Sequence, residues 1–148
     1  MRVTTKGRYA LRALVKLALE GGEKPIPIKR LAEAESISPE FLEQIFFRLK
    51  KSGIIDSVRG PGGGFVLRMD PDDISVRAIF DAVGEGIELT PCTTPPRNGE
   101  SAECSRAEEC LMQDVWHEVS EHITGYFESL TLRKILDRSR EETAQLLV

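Results

Sequence analysis

Ser38-Pro39-Glu40-Phe41-Leu42-Glu43-Gln44-Ile45-Phe46-Phe47-Arg48-Leu49-Lys50-Lys51-Ser52-Gly53 spells out a helix with both ends marked. The Ser38 hydroxyl can cap, Pro39 fits the first turn, Glu40 meets the positive end of the dipole, and Gly53 stops the run. Leu42, Ile45, Phe46 and Leu49 share one face, whereas Glu40, Glu43, Gln44, Phe47, Arg48 and Lys51 share the other. A shorter helix is predicted just before it, around Ile28–Glu35, reached through the extended Pro25-Ile26-Pro27. Two helices joined by a tight turn, the second with a polar and basic outer face, make a helix-turn-helix.

Downstream, Ile54-Ile55-Asp56-Ser57-Val58-Arg59 and Phe65-Val66-Leu67-Arg68 flank Gly60-Pro61-Gly62-Gly63-Gly64, which reads as a β-hairpin. The tip lacks the Gly-Lys-Ser/Thr ending of a nucleotide-phosphate loop and leads into a strand rather than a helix, which argues against nucleotide binding. Directly after a helix-turn-helix, a hairpin is a wing. Four glycines and a proline beside Arg59 suit close backbone approach to DNA, with the guanidinium entering a narrow minor groove.

Working outward, Leu11, Leu14, Val15, Ala18 and Leu19 recur at helical spacing, so residues 5–20 are expected to form an amphipathic helix stopped by Gly21-Gly22. Ser75 caps a predicted helix over Val76–Val83 that ends at Gly84. A loop over about residues 85–105 follows. Next comes a long helix with Leu111, Val115, Val119, Ile123, Tyr126 or Phe127, and Leu130 on one stripe. Thr131 caps a last short helix near Leu132–Asp137, and the tail from Ser139 is polar. The expected fold is mainly α with a small β-hairpin wing: a winged helix-turn-helix plus a long dimerisation helix. The expected division is a DNA-binding domain over 1–84, a cysteine-bearing segment over 85–109, and a dimerisation helix with tail over 110–148. The stripe of the long helix fits intramolecular packing or a dimer seam, with Trp116 and Tyr126 as core or interface aromatics. A small winged domain reading a two-fold site favours the seam.

The 148 residues are 41% hydrophobic and 30% charged, ordinary for a globular domain able to bury its own core. Net charge is −4, but it is unevenly spread. Residues 1–69 hold 13 Lys and Arg against 7 Asp and Glu; residues 70–148 hold 7 against 17. A basic first half suits phosphate contact, and an acidic second half limits nonspecific adhesion. Without an apolar run of membrane-spanning length or a signal-peptide pattern, the expected location is the cytoplasm. No nucleophile–base pair emerges, so no enzyme is expected.

On the outer helix face, Gln44 can pair with an adenine edge, Glu43 can accept from cytosine, and Arg48 and Lys51 can meet phosphate or guanine. The competing reading is a solvated helix face, which Phe47 fits poorly: an aromatic there needs either a wing to pack on or a base methyl. The candidate DNA-binding set is Arg2, Ser38, Glu40, Glu43, Gln44, Arg48, Lys51, Arg59, Gly60, Pro61, Gly62 and Gly63.

All three cysteines, Cys92, Cys104 and Cys110, fall in one proline- and glycine-rich window with spacing C-x11-C-x5-C. Three thiolates do not close a four-ligand structural zinc site, whereas iron–sulfur clusters accept three cysteines plus another ligand. The competing readings are a disulfide with one spare thiol, or three unrelated thiols. In a reducing compartment, clustered cysteines more often bind metal or sense redox state.

Met1-Arg2-Val3-Thr4-Thr5-Lys6-Gly7-Arg8-Tyr9-Ala10, Phe41-Leu42-Glu43-Gln44-Ile45-Phe46 and Val58-Arg59-Gly60-Pro61-Gly62-Gly63-Gly64-Phe65 resemble the IscR/NsrR/CymR superfamily of bacterial winged-helix regulators. Cys110-Leu111, Trp116 and Ile123-Thr124-Gly125 resemble its IscR branch. The resemblance spans most of residues 1–137, and the VRGPGGG wing is its most specific motif. It implies a homodimer that binds a two-fold site on double-stranded DNA and joins through the 110–130 helix. It further implies an iron–sulfur cluster on Cys92, Cys104 and Cys110, [2Fe–2S] in preference to [4Fe–4S], whose state sets operator binding.

By the same resemblance Glu43 and Gln44 read bases, and Arg59 is the wing arginine. The chain departs from the family in its first cysteine gap, six residues longer than the usual C-x5-C-x5-C. It has Gln113 where a histidine ligand is usual, and Arg8 where some relatives carry an acid. The fourth ligand stays open among Gln113, His117, Glu108, Glu109 and an exogenous group. The alternatives are a cluster-free thiol-redox regulator of DNA binding and a docking module that binds no DNA.

Overall fold

The computed structural model describes residues 3–87, 89–93, 104, 106 and 109–146. Its elements are helices α1 (Thr5–Gly21), α2 (Ile28–Glu35) and α3 (Pro39–Lys51), strands β1 (Ile55–Val58) and β2 (Gly64–Leu67), and helices α4 (Val76–Val83), α5 (Gln113–Ser129) and α6 (Leu132–Leu146). A 3₁₀ turn, Pro91–Thr93, lies between α4 and α5.

Local chemistry sets the element ends much as the sequence indicates. Ser38 Oγ accepts from the Phe41 amide at 3.2 Å, and Ser75 Oγ accepts from the Ala78 amide at 3.0 Å, so both hydroxyls cap. Thr131 does the same for α6, accepting from the Lys134 amide at 3.3 Å. The last helix nonetheless runs to Leu146 rather than stopping at Asp137. Nothing from Arg138 to Leu146 is a glycine or proline, so no residue there breaks the helix.

The face of α1 that packs inward also differs from expectation. Ala10, Ala13, Leu14 and Leu17 are buried, whereas Leu11, Val15 and Ala18 are half-buried and Leu19 is exposed. Small residues let α1 lie close to its neighbours, so the Gly7-Ala10-Ala13-Leu14-Leu17 stripe takes the centre. Leu11, Val15 and Leu19 instead line a shallow groove shared with Ile135 of α6.

The core gathers α1, the inner face of α3 (Leu42, Ile45, Phe46, Leu49), α4 (Val76, Ile79, Phe80, Val83), and Leu132 and Leu136 of α6. The wing is an antiparallel hairpin in the register Ile55↔Leu67, Asp56↔Val66, Ser57↔Phe65 and Val58↔Gly64. Two contacts seat it. Ile26 exchanges backbone hydrogen bonds with Phe65 at 3.0 and 2.9 Å, turning the Pro25–Pro27 stretch into a partial third strand. The Phe65 ring then meets Phe46 edge to face, centroids 5.0 Å apart.

A second bridge, Ser75↔Thr131, ties the start of α4 to the α5–α6 junction through Val76 N–Leu130 O (2.9 Å) and Leu132 N–Ile74 O (2.7 Å). Arg133 reaches back to Asp70 and Asp72 of the loop before α4. The Asp72 amide, and then Arg133, hold the Asp70 carboxyl below the usual carboxylate range. Helix α5 is the exception to this packing. It has no buried residue, and Val115, Trp116, Val119 and Tyr126 are exposed, so these aromatics are not core residues. It is held at its C-terminal half, where Phe127 meets Phe80 at 5.4 Å and Arg77 reaches Thr124 at 3.5 Å. Among the described residues no helix is long and apolar enough to cross a membrane.

Because Leu132 is fully buried against elements far upstream, Leu132→Ala is expected to cost about 2–5 kcal/mol. Chemical denaturation should show that loss in the same cooperative transition that melts α1 and α3.

Candidate nucleic-acid interface and cysteine segment

With the apolar face of α3 committed to the core, its other face is turned out. Glu40, Glu43, Gln44, Phe47, Arg48, Lys51, Ser52 and Ala82 of α4 line an open groove of about 990 Å³. Glu40, Glu43, Gln44, Arg48 and Lys51 are all exposed, so the structure brings these five candidates together on one surface. Ser38 stands at the start of the same helix, but its hydroxyl is engaged in the cap. Arg48 is partly engaged too: Nη1 donates to the Val83 carbonyl at 3.4 Å, at the C-terminal end of α4. Lys50, which the sequence did not single out, donates to the Ser57 hydroxyl and lies 3.8 Å from Asp56, bracing the wing against α3.

Arg59, Gly60, Pro61 and Gly62 are exposed at the wing tip, with Gly63 half-buried behind them. The tip needs its glycines for its own turn. A side chain at Gly63 would sit 2.3 Å from the Val58 carbonyl oxygen. The glycine run is therefore explained first by the hairpin, and its smallness leaves Arg59 unobstructed. Arg2 and Glu108 lie outside the described residues.

The cysteine segment begins at a well-anchored point. Gly84 closes α4 in the left-handed conformation, φ 71°, and the Glu85 amide donates to the Phe80 carbonyl at 2.8 Å. This places the Glu85 side chain, only 5% exposed, at the N-terminus of α1. Its Oε1 accepts from the Thr4 amide at 2.7 Å, and its Oε2 accepts from the Thr4 hydroxyl. Thr4 makes no capping bond with its own side chain, so Glu85 supplies an acceptor and a negative charge to that helix end from 81 residues away. Gly7 leaves the room: a Cβ there would lie 2.9 Å from Glu85 Cγ, Cδ and Oε2. Sequence reading missed this clasp, because only the acid after a helix-stopping glycine was visible and its partner was not.

Cys92, Cys104 and Cys110 are all free thiols. Cys92 sits in the 3₁₀ turn that packs on α5, its Sγ 3.0 Å from Thr90 Oγ1; Cys104 is half-buried, and Cys110 is exposed just before α5. Gln113 opens α5, and His117 and Glu109 are exposed. Among the described residues no three Cys, His, Asp or Glu side chains come together as a metal-binding group. As a donor set, three thiols unspent in disulfides match the soft ligands that iron–sulfur clusters take.

Residues 3–138 match the Rrf2 family of iron-dependent transcriptional regulators. The chain belongs to the Rrf2 family. It is 39% identical over 137 residues to the HTH-type transcriptional regulator IscR of Serratia proteamaculans, spanning 93% of this chain and 80% of that one. With the IscR of Photobacterium profundum the identity is 40% over 136 residues, 92% and 76% of the two chains. Among solved structures, T. potens IscR superposes with a TM-score of 0.73 at 32% identity, covering 96% of this chain and 90% of that one. CymR, the global cysteine regulator of B. subtilis, superposes with a TM-score of 0.73 at 27% identity, covering 93% and 98%. The Rrf2 chain described here is therefore a winged-helix, DNA-binding transcription regulator and not an enzyme, which sets aside the docking module that binds no DNA.

Replacing Glu85 by Ala leaves the Thr4 amide without this acceptor and is expected to cost about 1–3 kcal/mol. Gly7→Ala is expected to cost about as much by displacing Glu85. Thermal unfolding of the double variant should show the two losses to be far from additive, since each removes the same contact.

Proposed function

We propose that the chain is a cytoplasmic homodimeric regulator whose affinity for a two-fold operator is set by an iron–sulfur cluster on Cys92, Cys104 and Cys110. The observation that carries this reading is the placement of three free thiols on one segment, between the Glu85 clasp and helix α5. The proposed division is a DNA-binding unit over 1–84, a cysteine segment over 85–109 and a dimerisation unit over 110–148, with Leu132 and Leu136 docking the last onto the first.

In this reading α3 enters the major groove. Gln44 and Glu43 address base edges, Lys51 and Arg48 address phosphate or guanine, and Ser38, Glu40 and Arg2 are the remaining candidate contacts. Lys50 holds the wing at a fixed angle to α3, so Arg59 and the Gly60–Gly63 tip reach the adjacent minor groove together. The exposed Val115, Trp116, Val119 and Tyr126 of α5 form the seam with a second copy, which doubles the reading surface across the two-fold axis.

The bound group, [2Fe–2S] in preference to [4Fe–4S], would be held by the three thiolates and would supply a redox-responsive centre. Gln113, His117, Glu108, Glu109 or an exogenous group would complete it. What the chain contributes is linkage. Glu85 fastens the first residues of the segment to the start of α1, and Arg48 fastens α3 to the end of α4 one residue before Gly84. A shift of the segment at that junction therefore bears on both the first helix and the reading helix.

Anaerobic purification followed by visible absorption and iron and sulfide assay should yield a coloured protein. Cys110→Ala should lose most of its iron. A colourless, iron-free wild type with reversible Cys oxidation would replace the cluster with the thiol switch. In gel shifts against its own promoter region, Arg59→Ala should cost about 1–3 kcal/mol of binding, and Lys51→Ala should lower the salt slope by about one.

A further inference from the structure

Phe47 is the most exposed aromatic side chain on α3, with 69% of its surface open to solvent. The sequence left two uses for it, packing on the wing or meeting a base. The structure leaves the ring largely open to solvent, with no ring partner on the wing among the described residues. The wing's Phe65 is paired with Phe46, and Phe47 belongs to none of the ring pairs among the described residues. It stands in the groove among Glu43, Gln44, Arg48 and Lys51, the apolar member of an otherwise charged or polar set on the outer face of α3. A phenyl ring can neither donate nor accept a hydrogen bond to a base edge or a phosphate. The major groove offers one apolar group, the C5-methyl of thymine.

We infer that Phe47 is a specificity-determining residue that reads a thymine methyl in the major groove. The inference rests on α3 being the reading helix. Phe47 and Gln44 are three residues apart, so their side chains start about 5–6 Å apart on one face. Base pairs rise about 3.4 Å per step, so the thymine lies at, or within two base pairs of, the position Gln44 reads. If Gln44 pairs with adenine, the thymine opposite is the nearest candidate. The operator is thereby expected to hold an A·T pair at a fixed place in each half-site. A regulator with the same fold but a small polar residue at this position would tolerate G·C there.

The test begins with selection of duplexes from a random pool by the cluster-loaded wild-type protein, followed by replacement of each selected thymine with deoxyuridine, one at a time. Deoxyuridine keeps every hydrogen bond and removes only the methyl. At one thymine per half-site, the wild type is expected to lose about four-fold in affinity, the worth of burying one methyl. Phe47→Ala should already be weaker on the thymine duplex and lose nothing more on deoxyuridine. Phe47→Leu should keep part of the methyl effect. With its ring in solvent, the Ala variant is expected to melt like the wild type.

Equal deoxyuridine sensitivity in the wild type and Phe47→Ala, or no sensitive thymine, would overturn the assignment while leaving α3 as the reader. If Gln44→Ala and Lys51→Ala also bind like the wild type, the reading helix itself is misassigned and the Phe47 contact falls with it.

Discussion

The arrangement of this protein follows from the burial of one face of α3. Leu42, Ile45, Phe46 and Leu49 are almost fully removed from water, and the hydrophobic gain from four such side chains allows essentially one rotation of the helix. Once that rotation is set, Glu40, Glu43, Gln44, Phe47 and Lys51 have nowhere to go but outward. The same burial positions the wing, because Phe65 docks its ring on Phe46 while Ile26 fixes its backbone. The outward face of α3 and the wing thus inherit their geometry from the core.

The second constraint is the junction at Gly84 and Glu85. A left-handed glycine turns the chain, and the next carboxylate is driven into a nearly water-free site where the amide and hydroxyl of Thr4 satisfy it. Gly7 is small because that carboxylate must fit beside α1. Arg48 meets the same helix end from the side of α3. Helices α1, α3 and α4 therefore converge where the segment bearing the cysteines begins. Helix α5 is built differently, with apolar and aromatic side chains left facing solvent along its length, a surface suited to association.

Most of the architecture was legible from the chain alone because its punctuation is local. Ser38, Ser75 and Thr131 cap, Gly53 and Gly84 stop, and the apolar positions of α3 and α4 fall at helical spacing. Each is a matter of a few neighbouring residues. Two elements were misjudged, each for its own reason. The apolar residues of α1 lie on more than one face, so spacing alone could not say which stripe the core would choose; close packing selected the small residues. The end of α6 is expected near Asp137, before the polar tail, but no glycine or proline from Arg138 to Leu146 breaks the helix.

The sequence by itself determined the element order, the capping, the two-faced character of α3 and the clustering of the three cysteines, all properties of residues close together along the chain. Only the tertiary structure decided that Glu85 caps a helix 81 residues away, that Lys50 braces the wing, that Arg48 turns toward α4 and that Phe47 stands open to solvent. Those outcomes depend on which surfaces meet when the core closes, and that choice is made by packing between distant segments, which no local pattern encodes.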